Sequence, residues 1–297
     1  MLLSQLINYS LLFLFSLVTV LLNPSTLYSQ LQELRGDDQI CMVLLHMALQ
    51  TMFAGSAVVH SGVVVWQMQV EDINHSLIFW SGIAYASSIM LTGMADLLLA
   101  FDRLLAITWP LRYIFHIKKR FLVGSFALQS LLFSFIFVKM IFERIVPSPD
   151  DVMLSKHVSP DMSFAVTTVN SCLALINVPV TVFFMYKLSK FKKSVSSLTY
   201  RNDKSANKAN MIVIYQMALA IIFWIIPTTF NTGAMILFKV NFSAMIGPYN
   251  MTLLLAYLMT CSILYRVKLT QRIAKMHVHS VQQRTSLSKT PPARLSL

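Results

Sequence analysis

The sequence predicts an all-α membrane protein: a seven-transmembrane helix bundle with its N-terminus outside and its C-terminus cytoplasmic. Three observations predict this fold. Only 12% of the 297 residues are charged, the mean hydropathy is +0.64, and the chain contains seven nearly uncharged apolar stretches. A soluble domain carries roughly twice that charged fraction. An apolar stretch of about 20 residues is long enough to cross the ~30 Å hydrocarbon core as a helix.

Short polar connections separate the seven stretches. Their predicted bounds are Leu2 to Leu22, Ile40 to Trp66, Ser76 to Phe101, Phe121 to Phe142, Phe164 to Tyr186, Met211 to Phe238, and Phe242 to Tyr265. No internal repeat is visible, which disfavours the duplicated architecture of many transporters. We therefore expect one seven-helix domain over residues 1–265. Residues 266–297 form a basic tail rich in serine and threonine, with a short interfacial helix predicted over Arg266 to Met276.

The distribution of basic residues predicts the orientation. Of the 24 lysines and arginines, 20 fall in one alternating set of connections and in the tail, and basic connections stay cytoplasmic. A cleaved signal peptide over Met1 to Leu22 is disfavoured because the start MLLSQ has no basic residue. Removal of this first span would also leave six spans with the N-terminus outside, which would place every basic connection on the outer side. The glycosylation sequons at Asn74 and Asn241 fall on the predicted outer side, close to the membrane.

The third stretch ends in the motif on which the functional prediction depends. Asp102-Arg103-Leu104-Leu105-Ala106-Ile107 is followed by Thr108-Trp109-Pro110-Leu111-Arg112-Tyr113. This run resembles the DRYLAI…PLRY segment of rhodopsin-like G-protein-coupled receptors, with leucine in place of the first tyrosine. The small outer connections and the methionine-rich spans are similar to those of the nematode serpentine chemosensory receptors, in particular their BC-like class.

The resemblance implies a latch at the inner end of the third helix, made of Asp102, Arg103, Pro110, Arg112 and Tyr113. An arginine held by a carboxylate in a closed bundle can extend across an opened cavity where a G protein docks. The alternative for the Asp102–Arg103 pair is an interfacial ion pair that anchors the helix.

Asp96 is a less expected charge in the same helix. It precedes Arg103 by seven residues, which places both residues on nearly the same helix face. We expect Asp96 to face the bundle and to steady the resting position of Arg103. A neutral, hydrogen-bonded Asp96 is the alternative. The segment 205–210, where the resembled receptors often carry an acid, has none here, and Asp203 is the nearest candidate.

Three residues in later spans resemble an activation hinge. Trp224 and Pro227 resemble the tryptophan-proline element of the sixth helix, with one residue too many between them, and Pro179 matches the proline of the fifth. A proline removes a backbone hydrogen bond and kinks a helix. The seventh stretch lacks Asn-Pro-x-x-Tyr and offers only Tyr265. The second has His46 and Gln50 where the resembled receptors carry an aspartate.

A ligand site is expected between the outer halves of the helices, because no large outer domain exists to bind a protein. If Arg103 faces the interior, helical geometry places part of the third helix within about 60° of the same face. With residues of the sixth and seventh helices, the candidates are Ile78, Ser81, Tyr85, Ser88, Thr92, Phe230, Asn231, Met235, Tyr249 and Asn250. Such walls suit a small, weakly polar molecule. Ordinary helix packing is the alternative for each residue.

The function that follows is a chemosensory receptor, with a role in olfaction, in the plasma membrane of a sensory cell or its cilium. Its expected partners are a heterotrimeric G protein, a small-molecule ligand and the lipid bilayer, with kinase or arrestin-like regulators acting on tail hydroxyls. No enzyme, cofactor or metal role is indicated, because no nucleophilic side chain has a general-base partner. No nucleic-acid role is indicated either, because the lysines and arginines do not lie on the face of a soluble domain. A seven-helix ligand-gated channel or a small-molecule transporter is the alternative.

Overall fold

The computed structural model describes residues 2–33, 41–149, 151–195, 211, 214–238 and 248–267. Within these residues the chain forms seven helices that are long and apolar enough to cross a membrane, and no β-strand. The predicted seven-helix fold is thereby confirmed. The orientation of the bundle stays a prediction. The ends of the helices predicted to face the outside and the cytoplasm are called the outer end and the inner end.

The first five helices are continuous. They are α1 (Leu2–Glu33), α2 (Cys41–Gln67), α3 (His75–Thr108), α4 (Lys118–Phe142) and α5 (Pro160–Val195). The described part of α6 covers 214–238 and includes a π-helical turn over Ile221–Ile225. The last helix, α7, covers Tyr249–Val267. Several helices are longer than the apolar stretches that predicted them, because a helix can extend through polar residues beyond the hydrocarbon core.

Helix α3 lies at the centre of the bundle, and α4 lies at its edge. In the most apolar 18-residue window, 83% of α3 is buried inside the protein, against 17% of α4. Helix α3 packs against α2, α4 and α5, and α1 packs mainly against α2. A helix so buried can carry polar side chains where a lipid-facing helix cannot, since its polar groups find protein partners. The functional residues of α3 therefore face other helices.

Two connections position the candidate sites. At the inner end, Trp109 interrupts the helix before Pro110, because the residue before a proline is disfavoured in helical conformation. A short turn (Pro110–Arg112) and a π-helical turn (Tyr113–Ile117) then lead into α4. At the other end, residues 143–159, here called the outer loop, connect α4 to α5. This loop closes on itself through a bridge between Arg144 and Val158.

Candidate functional site

Three side chains form a buried cluster at the inner end of α3. Asp102 and Arg103 are almost fully buried, and Arg103 Nη2 lies 2.9 Å from Asp102 Oδ2. The hydroxyl group of Tyr113 donates a hydrogen bond to Asp102 Oδ1. Because Tyr113 lies on the π-helical turn, the turn after Pro110 brings it back against α3. The structure therefore gathers Asp102, Arg103 and Tyr113, called the inner cluster below.

The other two residues predicted near this end lie on its surface. Pro110 is the first residue of the inner turn, and Arg112 is the last. Both are exposed, so they face the space beyond the helix ends rather than the inner cluster. Asp203 and the segment 205–210, considered as a source of an acid for Arg103, lie outside the described residues.

Asp96 lies in a second polar cluster near the middle of the bundle. Its Oδ1 atom lies 2.5 Å from His46 Nε2 in α2 and accepts a hydrogen bond from Gln216 Nε2 in α6 at 2.7 Å. The Tyr257 hydroxyl in α7 donates to the same carboxylate at 3.0 Å and 3.2 Å. One carboxylate therefore connects four helices. A buried carboxylate is costly without such partners, and here donors surround it.

Tyr265 adds a second contact between α6 and α7. Its hydroxyl donates to Gln216 Oε1 at 2.7 Å and lies 3.3 Å from His46 Nδ1. These residues form one set, here called the polar hub: His46, Asp96, Gln216, Tyr257 and Tyr265. All five side chains are buried. A void of about 10 Å³ beside Asp96 and Gln216 leaves room for at most one water molecule.

The contacts of Asp96 extend what the sequence predicts for it. Asp96 faces the bundle interior, as its spacing from Arg103 indicates. Its described hydrogen-bond partners are His46, Gln216 and Tyr257, while the described ion pair of Arg103 is with Asp102. A role for Asp96 in steadying Arg103 stays a prediction. The structure adds that Asp96 restrains α6 and α7.

The sequence predicted three residues of the polar hub but not their contacts, and it missed the other two. It drew attention to His46 and Tyr265 as residues found where the resembled receptors carry other motifs, but it did not connect them with Asp96. Gln216 and Tyr257 were not predicted at all. A signal was available in the spacing, because Tyr257, Cys261 and Tyr265 recur every four residues on α7 and all three are buried.

The π-helical turn in α6 accounts for the extra residue between Trp224 and Pro227. A π turn accommodates one more residue than an α-helical turn, and Trp224 lies inside it. The indole is buried and lies against Gly93 of α3, where an added Cβ atom would come within 3.1 Å of Trp224 Cη2. Gly93 therefore provides the space in which the tryptophan of α6 meets α3.

The two prolines predicted as hinge residues lie within helices. Pro227 follows the π-helical turn directly, as the second residue of the α-helical segment Ile226–Phe238. Pro179 lies inside α5. Each removes one backbone N–H donor from its helix. In α6 the π turn and the proline are therefore adjacent, and the role of this segment as a hinge stays a prediction.

A cavity of about 680 Å³ opens among the outer halves of the helices. Its walls come from α1, α2, α3, α5, α6, α7 and the outer loop. The lining residues include aromatic, amide, hydroxyl and aliphatic side chains, with Lys156 as the one formally charged side chain among them: Tyr9, His60, Tyr85, Ile145, Met153, Leu154, Ser155, Lys156, Ser163, Phe164, Thr167, Asn231, Asn250 and Met251. Its volume lies within the range of pockets that bind small molecules.

Three of the predicted ligand-binding residues line this cavity: Tyr85, Asn231 and Asn250. Six others do not line it, and these are Ile78, Ser81, Ser88, Thr92, Phe230 and Tyr249. The side chain of Met235 lies outside the described residues. The helical arithmetic from Arg103 selected residues of α3 that face the protein interior, but most of them contact other helices rather than the cavity.

Packing explains where most of these six residues are. Ser88 bonds to Ser56 of α2 at 2.6 Å, and Ser81 bonds to His60 at 3.1 Å. Ile78 and Thr92 are fully buried. Phe230 is 63% exposed, because adjacent helical residues point about 100° apart and Asn231 takes the inward position. Tyr249 donates to Asn231 Oδ1 at 3.3 Å and so orients a lining residue.

The sequence did not predict the contribution of α1, α2 and the outer loop to the cavity. His60 stacks on Tyr85, with ring centroids 5.1 Å apart, and the Tyr9 ring lies at 77° to the His60 ring with centroids 6.3 Å apart. Leu154 of the outer loop packs over Gly82, where an added Cβ atom would lie 2.5 Å from Leu154 Cδ1. The outer loop therefore rests directly on α3 and forms part of the wall.

The glycosylation candidates divide between described and undescribed residues. Asn74 caps the N-terminus of α3, where its side chain accepts a hydrogen bond from Leu77 N at 3.0 Å. Asn241 lies outside the described residues. Among the residues described, no group of three or more histidine, cysteine or acidic side chains is placed to hold a metal ion.

Comparison with known proteins agrees with these observations. The model of the family described as serpentine type 7TM GPCR chemoreceptor Srbc matches residues 1–146. The chain is therefore similar to this chemoreceptor family over residues 1–146. The matched range contains α1 to α4 and the Asp102–Arg103 motif, and it confirms the predicted resemblance to the serpentine receptors of the BC-like class. Comparison with curated proteins gives no match.

The seven-helix bundle supports a multi-pass membrane protein, and the family match supports a chemosensory receptor of the G-protein-coupled type. The family is one of receptors rather than enzymes. The receptor therefore carries three candidate sites along its length: the outer cavity, the polar hub and the inner cluster.

Proposed function

We propose that the receptor binds a small, weakly polar molecule in the outer cavity and signals to a heterotrimeric G protein at its inner end. It acts in the plasma membrane of a sensory cell or its cilium. The observation that carries this proposal is that α3 contributes a residue to each candidate site. Tyr85 lines the cavity, Asp96 is the centre of the polar hub, and Arg103 belongs to the inner cluster. These residues span about 27 Å of one helix.

The chemistry of the cavity favours its ligand class. Aromatic and aliphatic walls bury an apolar body, while Asn231, Asn250 and Thr167 supply a few hydrogen bonds that fix its orientation. No acidic side chain is among the described lining residues, so nothing there would pair with an amine. A neutral molecule with one or two hydrogen-bonding groups fits these walls best.

The polar hub provides the step between the two ends. A ligand that packs against both Asn231 and Tyr85 contacts α6 and α3. These are the two helices that the hydrogen bond between Gln216 and Asp96 connects. Ligand contacts that differ between the closed and open bundles shift the equilibrium between them. Movement of α6 at its π turn then exposes Arg103 to the partner. Residues 1–265 form the receptor domain in this proposal, and residues 266–297 form a tail for kinase or arrestin-like regulators.

The decisive experiment compares Arg103→Ala with Asn231→Leu in cells that express a promiscuous G protein. A calcium readout against a panel of small odorants and metabolites first identifies an agonist. Arg103→Ala should bind that agonist normally but lose the calcium response, because the inner cluster lies several helix turns from the cavity. Asn231→Leu should reach the surface and lose binding. A response of Arg103→Ala equal to wild type at matched surface expression would contradict the latch.

Repeating the measurement in cells without the G protein distinguishes a channel from a G-protein-coupled receptor. A ligand-gated channel would pass current in the absence of any G protein, whereas the proposed receptor requires one. Agonist-evoked current that persists when the G protein is absent would favour the channel.

A further inference from the structure

Two histidine side chains meet where the outer loop crosses the outer end of α3. His75 Nδ1 lies 3.2 Å from His157 Nε2. The ring centroids are 5.3 Å apart and the ring planes are tilted by 46°, so the rings face each other through their nitrogen atoms rather than by stacking. His75 is the first residue of α3, and His157 follows the short 3₁₀ turn of the outer loop. The pair therefore connects two separate elements of the protein.

The tautomer of His157 is fixed by a backbone contact. His157 Nδ1 lies 2.8 Å from the carbonyl oxygen of Met153. A carbonyl oxygen only accepts, so Nδ1 carries the proton and Nε2 presents its lone pair toward His75. A backbone carbonyl in this position is the usual support of a histidine that coordinates a metal ion, because it orients the ring and raises the basicity of the coordinating nitrogen.

The distance between the two nitrogens matches the geometry of a metal ion. Two histidine nitrogens bound to tetrahedral Zn²⁺ at about 2.0–2.1 Å are separated by roughly 3.3–3.4 Å. At the observed 3.2 Å the ion would replace the proton shared by the two nitrogens, and each ring would turn by roughly 35° to direct its lone pair at the ion. For His75 the movement includes a change of tautomer, which places the proton on its other nitrogen.

We propose that His75 and His157 bind a transition-metal ion of the Zn²⁺ type, with water completing its coordination, and that this ion fastens the outer loop to α3. The pair supplies two protein ligands, and because no group of three or more such side chains is placed to hold an ion among the described residues, the remaining ligands would be water. No cysteine occurs between Glu143 and Ser163. A metal bridge would therefore do here what a disulfide would do in a loop that contains a cysteine, holding the loop over the cavity wall.

The electrostatic surroundings permit this role. Burial lowers the pKa of His157, which keeps the ring neutral at neutral pH, and the neutral ring is the form that coordinates a metal. The groups that act on it are His75, Asp151 and Arg144; the carboxylate favours a bound cation, and the guanidinium opposes it. Arg144 is itself engaged with the Phe79 ring, 4.5 Å from its centroid.

The test measures Zn²⁺ binding to the full-length receptor in nanodiscs of neutral lipid at pH 7.5. His277 and His279 of the tail are replaced by alanine in every sample, so that the tail contributes no background. Equilibrium dialysis should give about one equivalent of Zn²⁺ with micromolar affinity. Both His75→Ala and His157→Ala should weaken binding by at least ~100-fold, because each removes one of the two direct ligands and even the loss of a group that only orients a ligand costs ~10- to 100-fold. The receptor that carries only the two tail substitutions is called the parent. His116→Ala, a matched variant of an exposed histidine at the inner end, should bind Zn²⁺ as the parent does.

A second measurement on the parent protein needs no variant at the site. Zn²⁺ should protect His75 from carbethoxylation by diethyl pyrocarbonate, as read by mass spectrometry, and should leave His116 equally reactive. Absence of binding in the parent, binding unchanged in both alanine variants, or equal modification of His75 with and without Zn²⁺ would each overturn the proposal. It stands independently of the identity of the ligand in the cavity.

Discussion

Replacing Asp96 by asparagine tests whether the polar hub restrains the resting receptor. The carboxylate is the common acceptor for Gln216 of α6 and Tyr257 of α7, and it lies 2.5 Å from His46 of α2. Asparagine keeps the size of the side chain but removes the negative charge and one of the two acceptor oxygens. We expect Asp96→Asn to raise ligand-free signalling, because α6 and α7 lose restraint in the closed bundle.

The magnitude follows from these bonds. A hydrogen bond to a charged group contributes about 1.5–3 kcal/mol, and one between neutral groups about 0.5–1.5 kcal/mol. Loss of the charge therefore weakens each bond by about 1–1.5 kcal/mol. If only the bond to Gln216 breaks on opening, the ratio of open to closed receptor rises roughly 5- to 13-fold. If the bonds to Gln216 and Tyr257 both break, the rise reaches roughly 150-fold.

The assay is basal inositol phosphate production through a promiscuous G protein, divided by the surface amount of receptor. Asp161→Asn is the control, since Asp161 is an exposed acid in the first turn of α5. Tyr257→Phe removes a whole bond to the carboxylate, worth about 1.5–3 kcal/mol, and should raise basal activity roughly 13- to 160-fold if that bond breaks on opening. If both Asp96→Asn and Tyr257→Phe reach the surface and signal at the wild-type basal level, the hub does not restrain the closed state.

Three further predictions concern the orientation and the outer loop. An N-terminal tag should be detected on intact cells and a C-terminal tag only after permeabilisation; the reverse pattern would contradict the orientation drawn from the basic residues. Gly82→Val should displace Leu154, whose Cδ1 would lie 2.5 Å from a Cβ atom added at this glycine, and should lower agonist affinity. Gly124→Val, whose site is open within 4 Å, is its control, and equal agonist affinity in the two would refute this contact. Because burial lowers the pKa of His157 below 6.5, the attachment of the loop should be strongest above pH 6.5 and weaken as pH falls through the lowered value. The protection factors of amides 151–158, which correct for the pH dependence of intrinsic exchange, should then fall during an acid titration of the parent but not of His157→Phe, and constant protection in the parent would count against it.

The sequence alone was enough to predict the seven helices, the resemblance to serpentine chemoreceptors and the importance of the stretch from Asp102 to Tyr113. These conclusions depend on local properties. A span needs only a continuous run of apolar residues, and the motif is a contiguous segment whose neighbours are set by the chain itself. The aspartate at position 96 was also recognisable, because a charge inside an apolar helix is costly unless it has a role.

The partners of those residues depended on the tertiary structure. Helical periodicity gives the face of a residue, but it does not say which helix lies opposite, so it could not join Asp96 to Gln216 and Tyr257 or distinguish Tyr85 in the cavity from Ser88 in a helix interface. The extra residue before Pro227 had no explanation until the π-helical turn appeared. The meeting of His75 with His157, 82 residues apart in the chain, was likewise invisible in the sequence, because the path of the outer loop is determined by packing across α3.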